Sequence, residues 1–447
     1  MLNRCFAKVI ARSAWLIRAI GACDFFSLVL GGACGLFLMR ASGWRIQLLQ
    51  TIQQFLGLED KALLVNELEG GSLSAKAVVS VAPSNRAKRR LTHLGYTRQH
   101  SFVFFNQERR PFLLLPADSP ELFLAGLRIY VPHKARGKVL KALASMLPWV
   151  GGPRWLPIRL TIASREALPL EALVTELTGE RLPIFAWLIN SRGHSSKINL
   201  QVMRPDGGIL GYIKLSLNKT ASQCVRHEAS VLSQLWNYLE LRPCIPRVLY
   251  QGCWLDGYLL FVSALSGKPG PLAYTSSHAS FLRTLSAIRP VERPGGLLVK
   301  ETRERWEQSP LFLGPDRMEI GQRVLEKANQ LLEGQSVPCG VIHGDFVPEN
   351  TKMMNDRLLV FDWERSAADG PIGWDIFHFQ LEVAYLLGKK VDDVFSIPKS
   401  PIDHACRLLY LLDSVCRLSE VELTRSRAIR IRYRHQLLSQ EASLRLS

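Results

Sequence analysis

The chain has 447 residues, 47% of them hydrophobic and 21% charged, and its 56 Lys+Arg against 39 Asp+Glu leave a formal net charge of +17. That balance excludes a disordered tail, a collagen and a mini-protein, and it gives roughly two to four units, each large enough to bury a core. The basic excess sits toward the front, with a net +11 over residues 1–180 and +6 over residues 181–447.

Nine cysteines, with no C-x-x-C pair, signal neither a disulfide framework nor a zinc site and read as buried thiols in a reducing cytoplasm. The runs Arg86, Lys88, Arg89, Arg90 and Arg425, Arg427, Arg430, Arg432, Arg434 suit either an anionic surface or a plain solvated face. No basic-aromatic motif of the RRM or zinc-finger type accompanies them, so no nucleic-acid partner is expected.

Residues 1–40 form an apolar N-terminal segment. Asp24 interrupts the window 19–39 and leaves only Phe25 to Met39 uninterrupted, shorter than the roughly 20 residues that span a bilayer. An interfacial or buried helix is expected, and Met39 offers an alternative start for a soluble chain. Over 41–178 we expect an accessory α/β region. It begins with helical apolar spacing at Ile46, Leu49, Ile52 and Phe55, followed by a break at Gly70-Gly71. The runs SFVFFN (101–106), PFLLLPA (111–117) and LFLAGLRIYVP (122–132) read as strands, KARGKVLKALASMLPWV as a helix, 158–163 as a strand and 170–179 as a helix.

From 181 to 265 the pattern changes to an antiparallel meander: FAWLIN, the loop SRGHSSK, INLQVM, a Pro205-Asp206-Gly207-Gly208 turn, and ILGYIKLSL. A helix over about 219–239 follows, then two strands, CIPRVLYQGCWL and YLLFVSAL. Beyond 271 the chain is expected to be helical except around 341–362.

The sharpest signal is Val341-Ile342-His343-Gly344-Asp345, then Asn350, then LLVFDWE with Asp362 near its end. Phosphoryl transfer needs a carboxylate beside the acceptor hydroxyl and oxygen ligands for Mg²⁺ at the nucleotide phosphates, because little else stabilises that charge. Asp345 suits the first role; Asn350 and Asp362 suit the second. Upstream, Val225, Glu228, Leu232, Leu235 and Leu239 lie on one helical stripe. Glu228 therefore occupies an apolar face, where an unpaired carboxylate is costly, and Lys214 is its expected partner.

H-G-D-x-x-x-x-N followed by D-W-E resembles the aminoglycoside phosphotransferase and choline kinase family, relatives of the protein kinases. The resemblance covers about 185–385 and implies an α+β, two-lobed protein-kinase-like domain behind the small accessory domain, with an N-lobe over 181–265 and a helical C-lobe over 266–447. It implies ATP and Mg²⁺ as cofactors and Asp345 as catalytic base, with Asn350 and Asp362 on the metal and Lys214 and Glu228 at the phosphates. Ser195 and Ser196 would cover the phosphates, although their loop has one glycine and reads equally well as a plain hairpin. Backbone groups of Ser263 to Leu265 would read the adenine edge. Asp375 would brace the catalytic loop, or is simply an acid favoured at a helix N-terminus, and His343 is a packed support.

The acceptor is expected to be a hydroxyl of a small molecule: a sugar, an amino alcohol or a glycan precursor. A polycationic aminoglycoside fits a basic chain less well. A non-catalytic nucleotide-binding scaffold is the rival reading. The protein is expected in the cytoplasm, its basic N-terminal region suited to peripheral contact with a membrane surface.

Overall fold

The computed structural model describes residues 63–65, 77–81, 85–107, 110–132, 135–150, 159–190, 196–309, 315–390, 393–419 and 425–443. The apolar segment 19–39 and the helix expected around 46–56 lie outside them. The chain divides into two compact units. The first draws on Met1–Tyr130, Val139–Ile189 and Leu200–Ile209; the second on Val131–Lys138, Asn190–Asn199 and Leu210–Ser447. Helices and mainly antiparallel strands make up both, which is the α+β class expected from the sequence. Among the described residues no helix is long and apolar enough to cross a membrane.

The first unit contains β1 (Leu63–Val65), β2 (Ala77–Val81), α1 (Asn85–His93), β3 (Arg98–Gln107), β4 (Arg110–Pro116), α2 (Pro120–Gly126), most of α3 (Ala135–Met146), β5 (Arg159–Ser164), α4 (Pro169–Thr178) and nearly all of β6 (Ile184–Asn190). Its strands run in the order β1-β2-β5-β3-β4-β6, parallel only between β1 and β2. Val103, Leu113 and Leu115 face a core with Phe123, Ala186 and Met203. On the opposite face Phe102 meets Trp187 edge-on, ring centroids 5.8 Å apart. Apolar cover on both faces is why SFVFF and FLLL read as continuous apolar runs rather than alternating ones.

The strand expected over 122–132 is not formed. Those residues make most of α2 and a 3₁₀ turn at Leu127–Ile129. Ser119 Oγ accepts from the Leu122 N–H at 3.2 Å, Pro120 sits in the first turn where its missing N–H costs nothing, and Glu121 complements the helix dipole. These start signals outweigh an apolar run that has no clear period of its own.

Strand β7 (Lys197–Met203) carries the chain from the second unit into the first, and β8 (Ile209–Ser216) returns it. The second unit continues with α5 (Lys219–Leu235), β9 (Val248–Trp254), β10 (Gly257–Ser263), β11 (Lys268–Pro269), α6 (Ser276–Ser286), β12 (Val291–Pro294), α7 (Gly295–Gln308), α8 (Pro315–Leu332), β13 (Ser336–Ile342), β14 (Thr351–Met354), β15 (Arg357–Val360), β16 (Ala367–Pro371), α9 (Trp374–Leu387), α10 (Pro401–Ser419) and α11 (Arg425–Ser443). Strands β8, β10 and β9 pair antiparallel in that order. A side chain at Gly211 would place its Cβ 2.3 Å from the Val262 carbonyl oxygen, so glycine is what lets β8 and β10 approach in this register.

Helix α5 starts where Asn218 Oδ1 accepts from the Ala221 N–H at 2.8 Å, and it lays Val225, Ala229 and Leu232 against Leu260 and Val262 of β10. The region after 271 holds more strand than expected: β12, β13 and β16 form a three-stranded sheet. The alternation of buried Val337 and Cys339 with exposed Ser336 and Pro338 is the strand period that the helical expectation overlooked.

The helical part closes around Trp306, Leu325, Ala328, Leu408 and Leu412. One buried ionic link joins α9 to α11. Glu382 accepts from Arg430 Nη1 at 2.9 Å and forms a close pair with Arg434, which also donates to the Ser414 carbonyl at 2.7 Å. Burial works against the charge on Glu382, but the two guanidinium groups outweigh it and hold the carboxyl below its usual range. Replacing Glu382 with Ala strands two guanidinium groups, and urea denaturation is expected to show a loss of about 3 kcal/mol. Because the folded-state value is depressed, the wild-type contribution is present above the ordinary carboxylate range and lost as pH falls through it. A variant whose deficit persists unchanged into acid would contradict that sign.

Candidate active site

Strand β13 ends at Ile342, and the next three residues reverse the chain. Gly344 has φ +76° and a Cβ there would lie 2.1 Å from the Arg365 carbonyl oxygen, so the turn requires glycine on both counts. At the first turn of α9, Asp375 accepts the His343 N–H at 2.7 Å through Oδ2 and the Gly344 N–H at 2.8 Å through Oδ1. Arg417 Nη1 donates to the Gly344 carbonyl at 3.0 Å. His343 is fully buried, and burial pushes its pKa down. The neutral imidazole donates from Nε2 to the Phe361 carbonyl (3.1 Å), while Nδ1 accepts from the Asp345 N–H (3.3 Å).

Asp345 emerges from this knot with its side chain 31% exposed. Asn350 Nδ2 donates to its backbone carbonyl at 2.9 Å and to Oδ2 at 3.1 Å. His378 Nε2 donates to Oδ1 at 3.1 Å, and Tyr410 sits 2.8 Å from His378 Nδ1. Burial opposes the charge on Asp345, but the His378 hydrogen bond, with the Arg365 guanidinium, holds its carboxyl well below the usual range. Burial pushes the Tyr410 phenol up, so its hydroxyl keeps its proton and donates to Nδ1.

A second cluster gathers around Lys214. Its ammonium donates to both Glu228 oxygens at 2.7 and 2.6 Å and to Asp362 Oδ1 at 2.6 Å. Burial disfavours that ammonium, yet Asp362 and Glu228 outweigh it and raise its pKa. Burial likewise works against Asp362, which Lys214 and Lys197 nonetheless hold at about 2. Glu228 also accepts from the Trp363 N–H at 3.3 Å. Asp362 itself is in the left-handed region, φ +72°, a conformation a non-glycine residue adopts only when its surroundings impose it. Two residues on, Glu364 forms a close ion pair with Lys197 at the start of β7. The two clusters are joined through Phe361, whose N–H donates to the Asn350 carbonyl at 3.1 Å and whose carbonyl receives His343 Nε2.

Oxygen atoms of Glu228, Asp362 and Glu364 come within 4.8 Å of one another. Asn350 spends its amide nitrogen on Asp345, which leaves the amide oxygen as its ligand atom. A set of hard carboxylate and amide oxygens suits Mg²⁺, which takes one or two carboxylates and completes its shell with phosphate oxygens and water. The residues present therefore fit that ion.

The structure thus brings Asp345, Asn350, His343 and Asp375 together, and Lys214, Glu228 and Asp362 together. Ser195 lies outside the described residues. Ser196 accepts the Leu217 N–H through its carbonyl at 2.9 Å. Ser263 is engaged with Arg247 through both its N–H and its Oγ, each at 2.9 Å, and the Leu265 carbonyl accepts from Lys352 Nζ at 2.8 Å. His378, Tyr410, Glu364, Lys197 and Lys352 were not singled out from the sequence. His378 lies one helical turn beyond Asp375, a spacing that could have flagged it.

No family model and no curated protein matches the chain. Among solved structures it is similar to a thermostable mutant of aminoglycoside phosphotransferase APH(4)-Ia, at 12% identity over 61% of this chain and 98% of that one, TM-score 0.44. It is also similar to choline kinase LicA from Streptococcus pneumoniae, at 15% identity over 61% and 98%, TM-score 0.40. At such scores the functional reading rests on the site itself.

Asp375→Ala removes the acceptor of two loop N–H groups. A loss of about 2–4 kcal/mol is expected in thermal or urea unfolding; an unchanged midpoint would show that the loop holds itself without this carboxylate.

Proposed function

We propose that the chain is an ATP- and Mg²⁺-dependent phosphotransferase that moves the γ-phosphoryl group of ATP to a hydroxyl of a small molecule such as a sugar, amino alcohol or glycan precursor. The observation that carries the reading is Lys214, an ammonium held by Glu228 on one side and sharing Asp362 on the other. It is tied through Phe361 to a loop that presents a charged, reachable carboxylate, Asp345. Few structural roles call for a buried lysine shared between two carboxylates and tied in this way to a third, reachable one.

In this reading Glu228 fixes Lys214 and the ammonium donates to nucleotide phosphate oxygens. Asn350 and Asp362, with Glu364 as a further carboxylate, would hold Mg²⁺, which supplies charge neutralisation at the phosphates. Asp345 accepts a hydrogen bond from the acceptor hydroxyl and takes its proton at a carboxylate oxygen. Its low pKa makes it a weak base, which is sufficient when the transferring phosphoryl is already loosely bonded and the proton leaves late. His378 acts as a positioning residue: its Nε2–H fixes one Asp345 oxygen, and Tyr410 fixes the imidazole tautomer. The N-lobe and C-lobe limits near 181 and 265, the accessory role of 41–178, a cytoplasmic location and peripheral membrane contact belong to the same proposal. The intact Lys214, Glu228, Asp345, Asn350 and Asp362 weigh against a non-catalytic scaffold, and the net basic charge weighs against an aminoglycoside acceptor.

Asp345→Asn is expected to keep the fold and to bind nucleotide within a few-fold of wild type. Phosphate transfer should fall about 10²–10⁴-fold in a radiolabel assay over a panel of polyol and amino-alcohol acceptors. Turnover retained in the folded variant would remove Asp345 from this role.

A further inference from the structure

Lys197 opens β7 directly after the loop expected to cover the phosphates. It is only 8% exposed, and its ammonium meets Glu364. Glu364 in turn lies with Asp362 and Glu228 in the group of carboxylate oxygens around Lys214, so a second ammonium stands at the edge of the same group. The family resemblance assigns one lysine to the phosphates, Lys214; this chain brings two lysines to the place.

The two differ in the donors they still have. Lysine carries three N–H donors and no acceptor. Those of Lys214 are committed, two to Glu228 and one to Asp362, and it meets a further acceptor only by releasing one of them. Lys197 has Glu364 as its hydrogen-bonding partner among the described residues, which leaves two donors on a side chain withdrawn from water. Buried donors of a charged group are costly where nothing accepts from them. A pair that served only to tie β7 to the loop after β15 is often equalled by apolar packing, so packing alone gives no reason for this ammonium.

We propose that Lys197 is a second phosphate-binding residue of the donor site, keeping Glu364 on one donor and offering the others to a phosphate oxygen. The inference rests on the phosphotransferase reading and adds a residue to it. A phosphate oxygen beside an ammonium accepts charge-assisted hydrogen bonds, stronger than those a neutral acceptor makes. Its negative charge is held next to Glu228, Asp362 and Glu364 only when enough cations face it. Lys214 is already matched by two of those carboxylates, and Lys197 supplies the cation with donors to spare.

The test is calorimetric titration of Mg²⁺-ATP, with adenosine measured by competition, into the full chain, Lys197→Met and Lys197→Arg. Lys197→Met is expected to weaken ATP binding roughly 10–100-fold and to leave adenosine within about two-fold. Lys197→Arg recovers part of the loss through its own donors. A merely structural ion pair would move both ligands together. Wild type gives a reading that no variant's folding affects: an acyl phosphate of ATP passes its acyl group to a nearby amine, forming an amide as the nucleotide phosphate leaves and the amine loses a proton. Peptide mass spectrometry is expected to find that amide on Lys197 as well as on Lys214. Unchanged ATP affinity in folded Lys197→Met, an equal loss of ATP and adenosine, or labelling confined to Lys214 would overturn the role of Lys197 and leave the phosphotransferase reading standing. Binding of neither ATP nor adenosine by folded wild type would overturn both.

Discussion

The shared ammonium of Lys214 is the constraint on which the site depends. A lysine this deeply placed is tolerated only because Glu228, itself 2% exposed, meets it with both oxygens, and neither charge would be stable there without the other. Once Lys214 is held, Asp362 is drawn to within 2.6 Å of it in a backbone conformation that is costly on its own. The strand-to-loop connection that carries Asp362 also carries Phe361, whose carbonyl and N–H tie to His343 and Asn350. An electrostatic pair between a strand and a helix thereby sets the position of a loop more than a hundred residues further along the chain.

The loop that carries Asp345 is built from the other side by backbone hydrogen bonds. Asp375 gathers two N–H groups, Gly344 permits the close pass under Arg365, and a neutral His343 bridges loop and strand. These contacts leave Asp345 with one oxygen directed by Asn350 and the other by His378, its charge secured and its surface still reachable. The arrangement is suited to orienting a hydroxyl first and receiving its proton late, as the proposed phosphoryl transfer requires.

Much of this was legible in the residues. A carboxylate on the apolar stripe of α5 announces a buried partner, and the meander before it offers Lys214 on a strand. The five-residue step from Asp345 to Asn350 and the short strand before Asp362 are local features that a sequence shows directly. His378 and Tyr410 were not legible as a set, because each lies about thirty residues from its partner and the contacts form only when α9 and α10 pack. Helix α2 escapes the sequence pattern because LFLAGLRIYV carries neither a strand nor a helix period, and its start is set by Ser119, Pro120 and Glu121 just before that run. Lys352 carries no signal in the sequence; only the folded chain shows it beside the rings of Tyr212 and Phe361.

Calorimetric titration of Mg²⁺-nucleotide into the wild-type chain and into Asp362→Ala tests the central claim most directly. The account predicts saturable binding that weakens sharply when Mg²⁺ is chelated and is lost in the variant. Binding that is indifferent both to the metal and to Asp362, in protein shown to be folded, would contradict it.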